Sequence, residues 1–397
     1  MHTTRKSLLF TLLAIVMILS LFLTNDTPLS LPSLFPDDKD EDVAPKTPTV
    51  INDIDYKELG QPLLPYYAEM TRSTVSCDMI IWDGKLFVGG GDYDTNTGPV
   101  PIMCYDPELN EWSDTGSVQD EQVNRFCVID GKLTVPGTDP MDEWDFGNYY
   151  YFEDGEWKTS RTIPNGIHNF DMVKFDGKIF AGLGVSDGYN PIVSSEDGGE
   201  SFAPVFMYKD GNTVDTFGKT YTRVYDLTIC NGRLYAFYSY HIGEQKTIEL
   251  YSYNKEKNIF EFTSDVSSSL KVTRINYNLI NSKINVGKKL YLATGSLYCT
   301  EDMLSFTEIP LAEGGIVCDL YENGGNVYAL CGAVEKENQY RISVWKLVDG
   351  EFLETFNFLY DAPPMSLAFC GGEFYIGVGN YSAENEKNGT VLSVCIK

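Results

Sequence analysis

Histidine is almost missing from this chain. Of 397 residues only His2, His168 and His241 are histidines, and none sits in a metal-ligand spacing. No P-loop, dinucleotide-binding or nucleophile-elbow motif occurs either, so neither a metal nor a cofactor is expected. Basic residues are scarce: 30 Lys and Arg face 57 Asp and Glu, for a net charge of −27. A surface of that sign repels phosphate backbones and anionic lipid, which excludes a nucleic-acid partner and argues against anionic glycans. The nine cysteines are odd in number and scattered through apolar runs, so they make no disulfide framework. After residue 23 there is no apolar run long enough to cross a membrane.

What the chain does have begins with one uncharged stretch, Ser7 to Leu23, preceded by Arg5 and Lys6. Its 17 residues are the short end of a membrane span and also the length of a signal-peptide core. No small-x-small cleavage site follows. The expectation is a cytoplasmic tail (1–6), an uncleaved transmembrane signal anchor (7–23) and the bulk of the chain outside, with secretion as the alternative if the segment is cleaved. Taking the two basic residues of the tail away leaves 28 against 57, a net −29 for the outer part. Residues 24–52 form an acidic, proline-rich linker containing PDDKDEDVAPK, too polar to offset the entropy of ordering. Residues 53–397 read as one domain.

That domain repeats one pattern: an apolar run, a two-residue turn, a polar residue and a second apolar run. The turns are Asp83-Gly84, Asp130-Gly131, Asp176-Gly177, Asn231-Gly232, Gly287-Lys288, Gly324-Gly325 and Gly371-Gly372. Asp-Gly and Asn-Gly between apolar runs signal a hairpin, because a type I′ turn needs positive φ at both central residues. The second turn residues are spaced 47, 46, 55, 56, 37 and 47 apart. Such periods leave room for a second hairpin, as in YYYFEDGEWKTS from Tyr149 and RISVWKLVDGEFLETF from Arg341. The spacing predicts an all-β, seven-bladed β-propeller of four-stranded antiparallel blades. The last turn leaves too few residues for three more strands, so a segment near Leu59–Tyr67 is expected to close the ring.

The segment DGKLFVGG followed by CYDPELNEW resembles a kelch repeat. Ser195-Glu196-Asp197-Gly198-Gly199-Glu200-Ser201-Phe202 resembles the Asp-box (BNR repeat) of sialidase-like propellers. The resemblance implies a propeller fold. It also implies a structural turn on an outer hairpin, with Ser195, Asp197, Gly199 and Phe202 as its members. It does not carry catalysis with it: a sialidase needs three converging arginines, and Arg125, Arg223 and Arg274 are the candidates, but no FRIP-like segment is present. A copper-radical oxidase of the kelch type is disfavoured by the lack of histidine.

Five residues before each turn the inner strand carries Asp78, Arg125, Asp171, Asp226, Ser282, Asp319 and Ser366. These predict a polar ring in the central channel, either bonding the backbone of neighbouring blades or binding a cation or polar ligand. His168 and Arg223, three residues further out, are expected on the same rim. Cys318 and Cys331 are equidistant from the Gly324-Gly325 turn, which predicts a cross-strand disulfide. The expected function is a membrane-anchored, extracytoplasmic propeller that binds a protein or carbohydrate ligand without catalysis. The alternative is a sialidase-like glycoside hydrolase or a carbohydrate lyase acting at the channel mouth.

Overall fold

The structure, a computed structural model, describes residues 54–67, 70–184, 190–213, 218–273 and 278–396. The tail, the anchor segment 7–23 and the linker 24–52 lie outside the described residues, as does Arg274. Among the described residues no helix is long and apolar enough to cross a membrane. Three short 3-10 turns are the only helical pieces described: Leu64–Tyr66, Thr71–Thr74 and Tyr93–Thr95.

All seven turns form as hairpin connections. At Asp83-Gly84, Asp130-Gly131, Asp176-Gly177, Asn231-Gly232, Gly324-Gly325 and Gly371-Gly372 both residues have positive φ. At the remaining turn only Gly287 does, with φ 61°, because Lys288 carries a Cβ that resists the left-handed region. The hairpins then assemble into antiparallel sheets. Five are discrete four-stranded blades, four of them stacked in chain order from the channel outward. The first runs Asp78–Trp82, Lys85–Gly89, Val100–Asp106 and Glu111–Val118. The second runs Cys127–Ile129, Lys132–Pro136, Phe146–Glu153 and Glu156–Pro164. Two more span Ser282 to Ile309 and Ile316 to Tyr360. The last holds Pro364–Cys370, Glu373–Val378 and Val391–Cys395, with Tyr56–Gly60 as its outer strand.

The expectation of seven separate blades is therefore corrected to five. The remaining strands are hydrogen-bonded into one ten-stranded sheet. Its inner strands, His168–Phe175 and Thr220–Cys230, are joined through Lys178–Gly184, where Gly184 pairs with Arg223. The merger has a steric cause. Thr220–Cys230 is eleven residues long and paired with Arg233–Ile242 out to Thr220, and Gly184, lacking a side chain, lets its Arg223 approach. The short strands Thr138–Pro140 and Asp120–Gln122 extend the same sheet through the pair His168 and Thr138.

The outer strand of the last sheet comes from the N-terminal side, with Tyr56 opposite Val394 and Gly60 opposite Val391. It lies a few residues earlier than the segment 59–67 singled out in the sequence; Leu64–Tyr66 turns instead toward the first sheet. Met79, Leu86 and Val88 of the first sheet pack against Ala368, Tyr375 and Val391 of the last, so the ring closes. The core lies between successive sheets. Phe87, Val100 and Ile102 interdigitate with Leu133, Val135 and Tyr150, and Tyr328, Phe356 and Phe358 with Phe374, Ile376 and Val394. Each of these large side chains contributes on the order of 2 kcal/mol of transfer free energy.

The expected Cys318–Cys331 disulfide is not present: all nine cysteines are free thiols. The equal spacing from the turn misleads because of a β-bulge. Val317 opposes Cys331 and Asp319 opposes Leu330, leaving Cys318 as the extra residue. Cys318 packs with Tyr328 and Leu330 in one inter-sheet core, whereas Cys331 packs with Val317 and Ala329 in the next. The two sulfurs face opposite sides of the sheet.

Candidate functional site

The inner strands of all six sheets surround a channel, and the ring residues fall at one level within it. A bulge immediately precedes Asp171, Asp226, Asp319 and Ser366, and turns each side chain along the ring toward its neighbour. The result is a chain of hydrogen bonds from each inner strand to the next. Asp78 accepts the Phe126 N–H at 2.7 Å, and Asp171 accepts that of Leu227 at 2.9 Å. Asp226 accepts that of Ile280 at 3.0 Å, and Asp319 that of Leu367 at 2.7 Å. The Ser282 hydroxyl donates to the Leu320 carbonyl at 3.0 Å, and that of Ser366 to the Ser76 carbonyl at 3.1 Å.

Arg125 adds the central cation. Its guanidinium lies 2.9 Å from Asp171 and 2.8 Å from Asp226, and donates to the Ile280 carbonyl at 2.8 Å. Lys283 bridges the same two carboxylates, in contact with Asp171 and 3.5 Å from Asp226. Burial opposes the charge on Arg125, but Asp171 and Asp226 more than offset it and raise its pKa. Burial likewise works to raise Asp171, yet Lys283 and then Arg125 carry it below the usual carboxylate range. Asp78 and Asp319 make no ion pair among the described residues. Burial pushes both up, and at Asp319 the charge of Asp78 adds to it.

On the side of the hairpin turns the ring forms the floor of a cavity of about 400 Å³. Asp78, Arg125, Asp171 and Asp319 line it, with Lys283 and Asn281; its walls include Ile80, Val128, Val173 and Tyr321. Asp226 is fully buried behind this floor. His168 and Arg223 do not line the cavity. They lie at the opposite end of the inner strands, so the ring separates them from it.

At that opposite end a second cluster gathers. His168 Nδ1 is 3.5 Å from Asp139 Oδ1 and makes no hydrogen bond, and the Tyr93 ring lies 5.6 Å from the imidazole. Arg223 crosses Gly184: a Cβ there would sit 2.5 Å from Arg223 Cδ. It donates to the Thr222 carbonyl at 3.1 Å and makes no ion pair among the described residues. Burial, then the neighbouring Glu121 and Asp120, push the Asp139 carboxyl up to about 7, with Arg223 opposing. Burial, then the charge of Arg223, lower His168 to about 3, so its imidazole is neutral. Two residues here have left-handed backbones, Asp139 with φ 58° and Tyr221 with φ 54°. For Tyr221, a bulky residue half exposed within a bulge, such a backbone marks strain held by its surroundings. Trp144, 60% exposed, opens onto the same face from the loop before Phe146–Glu153.

Asp139, Tyr221, Lys283 and Gly184 were not singled out from the sequence. Lys283 is adjacent to the ring position Ser282, and its partners lie over fifty residues away in the chain. Asp139 sits in a connection whose path no local pattern specifies. The segment 195–202 is a turn braced by its own side chains, with the Gly199 carbonyl also accepting from Thr162 Oγ1 at 2.7 Å. Ser195 Oγ accepts the Gly199 N–H at 2.8 Å and donates to Asp197 at 2.7 Å, and Asp197 accepts the Ser201 N–H at 3.0 Å. Phe202 is buried against Tyr149 and Ile179.

No family model and no curated protein matches this chain. An ulvan lyase of the polysaccharide lyase family PL25 is similar at 13% identity and TM-score 0.45, over 80% of this chain and 91% of that one. A chain of the mitotic checkpoint complex is similar at 10% identity and TM-score 0.48, over 91% and 97%. A putative 6-phosphogluconolactonase from Bacteroides fragilis NCTC 9343 is similar at 14% identity and TM-score 0.46, over 74% and 88%. These likenesses are of fold, and the chain is a β-propeller.

Proposed function

We propose that this β-propeller is a ligand-binding module, engaging a protein or a carbohydrate on the face where the inner strands begin. In the same reading it acts outside a membrane to which residues 7–23 tether it, or is secreted if that segment is cleaved, and is kin to the kelch and Asp-box propellers. One contrast supports it. The channel aspartates are committed to the backbone of neighbouring strands, whereas His168, Asp139 and Arg223 at the other face are committed to nothing comparable. The exposed aromatic rings of Trp144 and Tyr221 flank them on that face, the residue types that anchor protein and sugar contacts alike.

A second reading, a carbohydrate hydrolase or lyase, has a specific observation in its favour. A carboxyl held at about 7 beside a neutral imidazole and a guanidinium is poised for proton transfer near neutral pH. The full-length protein, offered a glycan array and candidate protein partners, is expected to bind one class with an affinity that Arg223→Ala lowers at least tenfold. An unbiased glycosidase and lyase screen on the same preparation is expected to show no turnover. Turnover abolished by Asp139→Asn would replace the first reading with the second.

A further inference from the structure

We propose that the channel cavity is a separate ligand site that takes an alkylammonium group, whether the side chain of a partner's lysine or a free aliphatic amine. The inference does not rest on the reading above, because the cavity opens at the other end of the channel.

Four features carry it. The cavity, about 400 Å³, is of small-ligand size, and the walls at Ile80, Val128, Val173 and Tyr321 suit an aliphatic arm. The two cations of the floor, Arg125 and Lys283, are both matched by Asp171 and Asp226. Asp78 and Asp319 remain: each accepts two backbone N–H groups and neither is in an ion pair among the described residues, although the charge of Arg125 reaches Asp78. Hydrogen bonds to amides orient these carboxyl groups without supplying a counter-charge, so the ring sets four carboxyl groups against two cations. Finally, Asn281, which also lines the cavity, has both polar atoms of its amide buried and without partners. A buried orphan donor and acceptor on a cavity wall points to an occupant.

The identity of that occupant follows from the donors. Among the described residues no group of three or more His, Cys, Asp or Glu side chains is arranged to hold a metal ion. An ammonium needs only a few acceptors and a dry sleeve for its carbons. The raised pKa values of Asp78 and Asp319 fit the same picture, since a cation beside them would favour the ionised forms that burial, and at Asp319 also the charge of Asp78, disfavours. The acidic surface would draw such a cation in.

The test is calorimetric titration of the full-length protein with n-pentylamine, with Nα-acetyl-lysine amide, and with ammonium and potassium chloride as controls. Binding of either amine at one site, at least tenfold tighter than both salts, is the expected result. Which amine binds distinguishes a free amine from a lysine side chain. Val128→Trp fills the mouth without touching the floor, and Asp319→Asn removes charge while keeping an acceptor for Leu367. Each is expected to weaken binding at least tenfold with the melting temperature of Val128→Trp unchanged. Absence of amine binding, affinity insensitive to Val128→Trp, or equal affinity for the two salts would overturn the proposal.

Discussion

Arg125 and Asp226, 101 residues apart in the chain, meet at 2.8 Å across the channel. The contact ties the lead into the second sheet to an inner strand of the ten-stranded sheet, and through the Ile280 carbonyl to the sheet that follows. A few side chains at one level thus connect elements that share no strand pairing.

Removing that cation should be severe. Arg125→Met leaves Asp171 and Asp226 buried with Lys283 as their one remaining ion-pair partner. Breaking a buried pair from one side costs about 3–5 kcal/mol. Urea unfolding of Arg125→Met is expected to show a loss in that range, and Arg125→Lys a smaller one. A loss under 1 kcal/mol would mean that the ring is not a structural tie.

Asp139 should make stability depend on pH in an unusual direction. Its folded-state pKa of about 7 lies above the value of 3.8 for an unperturbed Asp. The folded state therefore holds the proton more tightly, and this contribution to stability is fully present below about pH 4 and lost as pH rises to about 7. Within that window the slope approaches about 1.4 kcal/mol per pH unit. Comparing denaturation of wild type and Asp139→Asn at pH 4.5, 5.5, 6.5 and 7.5 isolates the group. The difference between them should shift steadily in favour of Asp139→Asn as pH rises, and a constant difference would refute the assignment.

Tyr221 should show a conflict between stability and binding. Its φ of 54° is unfavourable for a residue with a Cβ and free for glycine. Tyr221→Gly relieves roughly 1 kcal/mol of strain. The half-exposed ring gives up little burial. The variant is expected to melt at or slightly above the wild-type temperature while binding the ligand of that face more weakly. A clear drop in melting temperature would show that the ring supports the fold instead.

The free thiols make a simple prediction. Cys395 is exposed, Cys318 and Cys331 are buried, and burial raises the pKa of both of the latter. Ellman's reagent should titrate Cys395 first in the native protein and all nine thiols in denaturant. Reductant should leave the melting temperature unchanged. A mass consistent with a linked 318–331 peptide under non-reducing conditions would contradict the structure.

The hairpins were legible because their determinants are local. Asp83-Gly84 or Asn231-Gly232 between apolar runs specifies a left-handed two-residue turn whatever surrounds it; all seven hairpins form, six of them with both turn residues left-handed. The level of the ring residues was legible for the same reason, since counting back from a turn along one strand needs no tertiary information. Register beyond a bulge was not. The bulge before Asp319 shifts pairing by one residue, which both aims that carboxylate at Leu367 and parts Cys318 from Cys331. No local pattern announces it, because the gain that fixes it, a hydrogen bond to the next sheet, is made with a residue 48 positions away.

By itself, then, the order of residues determined strand identity, turn geometry and the acidic character of the surface, all set within a few positions or by composition alone. The tertiary structure alone decided how strands group into sheets, that Gly184 lets Arg223 lie beside His168, and that Asp139 joins them. Those outcomes depend on close approach between distant segments. Approach of that kind is governed by the space a side chain leaves and by the charges it must face, which exist only once the ring has closed.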